Sequence, residues 1–76
     1  MNILTQLGMR IRYLRKQKGM SQLDLSLEAG VNKNYISDLE RGSRNPSILL
    51  LEKICRALEV DLATLFKGIQ SLNSNI

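Results

Sequence analysis

The stretch GVNKNYISDLERGSRNPS, from Gly30 to Ser47, gathers lysine, arginine, asparagine and serine side chains but too few apolar residues to form a core by itself. If Ile36 and Leu39 turn inward on a helix, Asn34, Ser37, Asp38 and Arg41 fall at i, i+3, i+4 and i+7 on the opposite face. Lys33 projects from the exposed start of that helix. Amides, hydroxyls, an ammonium and guanidinium groups in this pattern suit hydrogen-bonded recognition of a polar partner. Covalent chemistry is poorly served. The chain has no histidine, no nucleophile with a plausible base and no phosphate-binding glycine loop, so an enzyme is not expected. With a lone cysteine, Cys55, no metal ligand set is expected, and neither a cofactor nor a small-molecule ligand is suggested.

The charge balance points to the same half of the molecule. The chain of 76 residues carries a net charge of +4. Up to Asn45 there are eight basic against four acidic side chains, and from Pro46 onward three of each. An anionic partner should therefore meet the N-terminal half, although a solvated basic face would look the same. No apolar run approaches the roughly 20 residues that span a bilayer, so no membrane partner is expected. Met1 to Leu7 lacks the features of an export signal. An unpaired cysteine agrees with a cytoplasmic location.

The elements that must position this face read as helices throughout. Leu7, Ile11 and Leu14 recur at helical spacing, with Ile3 and Leu4 extending the stripe and Gly19 ending it. Ser21 caps a second helix, with Asp24 completing a short capping box; Leu23 and Leu27 continue an apolar face with Leu25 at its edge, and Gly30 breaks it. Asn32 caps a third helix, closed by Gly42. Ser47 caps a fourth with Ile48, Leu51, Ile54, Cys55 and Leu58 on one side, and Asp61 a fifth with Leu62, Leu65 and Phe66. No segment alternates with period two, so the expectation is an all-α domain of five helices over residues 1–67. Residues 68–76 form a short frayed tail in which Ile69 and Leu72 could dock.

Between Gln22 and Arg41, apolar Leu25, Ala29, Val31, Ile36 and Leu39, small Ser26 and a turn glycine at Gly30 meet the needs of two helices crossing through a tight turn. Nearly the whole chain, from LGMRIRYLRKQKGMSQLDL to LEKICRALEVDLATLF, resembles the lambda-repressor-like, or XRE-type, helix-turn-helix family. Within it, YISDLERGSRNPS is most similar to the controller proteins of restriction-modification systems. Ser26 stands where alanine is usual, and Leu49 and Leu50 where polar residues are more often seen.

The resemblance implies that the helix from Asn32 to Arg41 enters the major groove of double-stranded DNA. Asparagine pairs with adenine and lysine with guanine, which makes Asn34 and Lys33 the principal base readers, with Ser37 and Arg44 as further base contacts. Arg44 could instead reach the minor groove. As a base contact Asp38 suits a cytosine amino group and it repels phosphate, so it is expected to orient Arg41 or Lys33. Backbone contacts fall to Gln22 at the start of its helix, to Ser21, and to Tyr35, Arg41, Ser43 and Asn45 on the other flank.

Simpler roles stand beside these. Ser21, Asn32, Ser47 and Asp61 serve as caps without any ligand. Arg15 and Glu40 occupy positions that pair across helices in relatives and read as a structural ion pair. Arg10 and Arg12 read as solvated charge, and Cys55 as core. With Ile48, Leu51, Cys55 and Leu58 inward, Leu49 lies opposite and Leu50 off the core face, poorly explained in a monomer. A two-fold homodimer through Leu49, Leu50, Val60, Leu62 or Phe66 is the expectation. The implied function is a sequence-specific transcriptional regulator on an inverted-repeat operator, an autoregulatory controller, with RNA polymerase a further candidate partner. The alternatives are a repressor of a phage or mobile element, an antitoxin-type autoregulator and a protein-interaction module.

Overall fold

The computed structural model describes residues 2–69 and contains five helices: α1 Ile3–Gln17, α2 Gln22–Ala29, α3 Lys33–Glu40, α4 Ile48–Leu58 and α5 Leu62–Phe66. Each begins where a polar side chain takes over an orphan backbone N–H. Ser21, Asn32, Ser47 and Asp61 accept from Asp24, Asn34, Leu50 and Thr64, as expected, and Asn2 does the same for Thr5. Asn2 is a cap that the apolar stripe alone does not reveal. Of the expected tail, Ile69 packs partly against the core, while Leu72 lies outside the described residues.

Every helix supplies at least one fully buried side chain to a single core: Ile11, Leu25, Ile36 and Leu39, Ile54, and Leu65. Each such side chain contributes about 1.5–3 kcal/mol by leaving water. Helix α1 packs on α3 and α5, α2 on α3 and α4, and α4 on α5, so α3 is held from behind by two helices. Its other face is left open.

Helix ends are closed by chain reversals in which the residue after the turn donates back to the last turn. Val31 N–H bonds the Ser26 carbonyl at 2.9 Å across Gly30, whose φ of 69° is cheap for glycine. Val60 N–H bonds the Cys55 carbonyl at 3.0 Å across Glu59, where a non-glycine residue takes φ 59°. Glu59 also pairs with Lys18, the residue that follows α1, an attachment that accompanies the unusual backbone there.

Three sequence expectations need correction. On α2 it is Leu25 that is buried, while Leu23 and Leu27 are 49% and 72% exposed. Residues two apart point nearly opposite ways on a helix, so burying one forces the other pair out. On α4, Ile48 is exposed and Leu50 packs against the core. Ile54, Ala57 and Leu58 lie on the buried face; Leu50, four before Ile54, falls within it and Ile48, six before, does not. Arg10, finally, is no free surface charge. Its guanidinium donates to the carbonyls of Thr64 at 2.8 Å and Leu65 at 3.3 Å, satisfying orphan groups of short α5.

Candidate nucleic-acid interface

The frame of the site is built behind α3. Arg15 on α1 and Glu40 on α3 are both buried and form a bidentate pair, Nε to Oε2 at 2.6 Å and a terminal nitrogen to Oε1 at 2.9 Å. Hydrogen bonding to Glu40 raises the Arg15 pKa above its ordinary value, against the opposing effect of burial. The same guanidinium donates to the Met20 carbonyl at 2.8 Å, and Gln22 Nε2 donates to Glu40 Oε1 at 3.2 Å. One carboxylate thereby ties α1 and the start of α2 to the end of α3. The expected structural pair is present.

Gly8 completes this junction. A Cβ there would stand 2.5 Å from the Glu40 carbonyl oxygen and nearer still to that of Leu39, so α1 and α3 meet at a separation only glycine permits. A glycine inside a helical stripe costs about 1 kcal/mol, which was the available sign that packing required it.

At the start of α2, Ser21 and Asp24 form a reciprocal capping box at 2.9 Å in each direction. The two Ser21 hydrogen bonds hold the Asp24 carboxyl below its ordinary pKa. The second amide proton of Gln22 remains available as a donor. It suits a phosphate at this helix start.

On the outward side of α3, Lys33 and Asn34 are exposed, and among the described residues their side chains have no hydrogen-bond or ionic partner. They stand ready for an external partner. The middle of the face is different. Asp38 pairs with Arg41 through one carboxylate oxygen and with Arg44 through the other at 3.3 Å. Arg41 also donates to Ser37 Oγ at 2.8 Å, and the Arg44 guanidinium lies over the Tyr35 ring, 5.1 Å from its centroid. Asp38 thus orients Arg41, as anticipated, but its second partner is Arg44 instead of Lys33. Ser43 donates its hydroxyl proton to the Asp38 carbonyl at 3.0 Å, which fixes the loop; Asn45 beside it is exposed.

The structure joins Tyr35, Ser37, Arg41, Ser43 and Arg44 around Asp38 on α3 and the following loop, with Lys33 and Asn34 at the start of the same helix, while Gln22 meets the end of α3 through Glu40. The proposed pairing surface is elsewhere, on α4 and α5. Leu49 is 69% exposed and Phe66 is at the surface, whereas Leu50, Val60 and Leu62 are partly buried against the core. Ile48 adds an exposed apolar side chain beside Leu49.

A helix-turn-helix family matches residues 11–65, most of the chain and all the elements that carry this face. The chain belongs to that family. It is 48% identical over 61 residues to the HTH-type transcriptional regulator SlrR of Bacillus subtilis, covering 79% of this chain but 40% of SlrR. The chain spans less than half the length of that relative. It is 45% identical over 60 residues to the control protein C.BamHI of Bacillus amyloliquefaciens, covering 78% of this chain and 74% of the relative. The fold is similar to that of the restriction-modification controller protein C.Esp1396I, solved as a tetramer with its natural 35 base-pair operator. The TM-score there is 0.81 at 37% identity, over 88% of both chains. Among the described residues, no helix is long and apolar enough to cross a membrane, and no acidic, cysteine and histidine side chains cluster as a metal site would need.

Proposed function

We propose that this chain is a cytoplasmic, sequence-specific transcriptional regulator that binds an inverted-repeat operator in double-stranded DNA as a homodimer. It acts as the autoregulatory controller of a restriction-modification system, without enzymatic activity of its own. The observation that carries the reading is the open face of α3, where among the described residues the Lys33 and Asn34 side chains have no partner, while Arg15 and Glu40 tie the helix from behind. These two residues read bases, with Ser37 and Arg44 beside them. Ser21, Gln22, Tyr35, Arg41, Ser43 and Asn45 place the protein on the phosphates. The likeness to C.BamHI and C.Esp1396I supports the controller role, and the latter's tetramer on DNA supports assembly of this chain on its operator. Contact with RNA polymerase is a further step of the same proposal.

Two recognition helices must lie about 34–36 Å apart to enter successive major grooves on one side of the duplex. Pairing through Leu49, Phe66 and Ile48, with the partly buried Leu50, Val60 and Leu62 beside them, is the proposed route to that spacing. The test is binding to the duplex from upstream of the chain's own gene against a scrambled duplex at fixed near-physiological salt. A preference of about a thousandfold with two subunits per site is expected. Equal, salt-labile binding to both duplexes overturns the regulator. Leu49→Glu should give monomers in ultracentrifugation, and an unchanged dimer mass rejects the interface. The 48% identity to SlrR favours one second reading, a regulator outside any restriction-modification system.

A further inference from the structure

We infer that Asp38 is a specificity filter that withholds Arg41 and Arg44 from indiscriminate phosphate pairing until a cognate duplex is engaged, where Arg41 turns to a phosphate and Arg44 to a base. The inference rests on the DNA-binding reading above and adds a device to it. Among the described residues of α3, Asp38 and Glu40 are the carboxylates, and Glu40 is buried with Arg15. Asp38 is therefore the carboxylate on the side of α3 proposed to meet DNA. Its side chain is 26% exposed, whereas those of Arg41 and Arg44 are 64% and 50% exposed. Both guanidiniums lean inward onto a carboxylate while remaining open to exchange.

The arrangement has a direct consequence for binding. Arginine pairs with phosphate whatever the sequence, so two free arginines here would strengthen attachment to every duplex. With both paired to Asp38, a phosphate must displace the carboxylate before it gains either one. The displaced carboxylate then faces the duplex, repelled by phosphates and acceptor edges alike. An unpaired charge at an interface is costly unless the partner supplies a donor. In the major groove only the amino groups of cytosine and adenine can do so. A sequence that presents one at this place accepts the exchange, and other sequences do not. Tyr35 and Ser37 hold the arginines near their points of use throughout, through ring contact and hydroxyl acceptance.

The experiment compares the full chain with Asp38→Ala and Asp38→Glu on the operator duplex and on the scrambled duplex, across a salt series. The Ala variant should bind scrambled DNA about threefold or more tightly, the worth of an exposed pair released. Its log-log salt slope should steepen by about 1 to 2 per subunit, because each arginine freed for a phosphate adds about 0.9. The operator-to-scrambled ratio should fall, and the Glu variant should restore weak scrambled binding. If the Ala variant leaves scrambled affinity and slope unchanged, or weakens both duplexes equally, the filter is overturned while the regulator stands. If the wild-type chain itself shows no operator preference, the regulator falls and the filter with it.

Discussion

Two arginine–carboxylate clusters are anchored on α3, and they behave oppositely. Arg15 and Glu40, on the inner side, are bidentate and buried, and Gln22 and the Met20 carbonyl share their hydrogen bonds. Asp38 with Arg41 and Arg44, on the outer side, is solvated and divided between two partners. Water and phosphate cannot reach the inner pair without unfolding the junction. Water reaches the outer cluster directly, and a phosphate can do so by displacing Asp38. The same residue types thus become a frame on one side of a helix and an exchangeable surface on the other, and burial alone makes the difference.

Breaking the inner cluster tests this most severely. Glu40→Ala strands the Arg15 guanidinium in the interior and should cost about 3–5 kcal/mol, read from urea unfolding. A loss below about 1 kcal/mol would mean that the pair is no frame. Gly8→Ala attacks the same junction without touching a charge. It drives a methyl group into the backbone carbonyls of Leu39 and Glu40, and should cost about 1–3 kcal/mol as α1 is pushed off α3. An alanine variant as stable as the parent would show that the close approach is unimportant. On the outer side, Asp38→Ala should change stability by less than about 1 kcal/mol, since surface pairs contribute little. An equal loss at Asp38 and Glu40 would erase the comparison.

This contrast also marks what the sequence discloses. The five helices and four of their five N-caps follow from local signals, such as Ser21 with Asp24, Asn32 before Lys33 and the inward spacing of Ile36 and Leu39. All of these act within a few residues. Arg10 reads as solvated from the sequence because its acceptors, the carbonyls of Thr64 and Leu65, are brought to it only by the packing of α1 on α5. Leu25 reads as an edge residue from the sequence because three leucines at alternate positions of a short helix allow either face, and α3 and α4 decide between them. Gly8 displayed its cost but not its neighbour. The partners of Asp38 were half legible: Arg41 lies three residues away on the same helix, whereas Arg44 returns through a loop whose course depends on the Ser43 hydrogen bonds to the Asp38 carbonyl. Family likeness extended this reading to DNA, which side-chain spacing by itself did not name.

The smallest expected effect lies at the edge of the frame, where Asp24 caps α2 beside Gln22. Its carboxylate accepts the Ser21 N–H, and these Ser21 hydrogen bonds hold its pKa below the ordinary 3.8. A carboxyl whose pKa is lowered by folding adds stability that is whole above its unfolded value and is lost as pH falls through the folded one. Asp24→Asn keeps an acceptor and removes only the charge. The parent should therefore melt at a slightly higher temperature than the variant at neutral pH, and the gap should close as the pH drops below 3.8. Arg15 and Glu40 are unchanged in this pair of proteins, so the frame cancels from the difference. A gap that persists in acid would show that the side chain acts by shape and not by charge, and would place Asp24 with the inner cluster's fixed geometry instead of the outer cluster's exchangeable electrostatics.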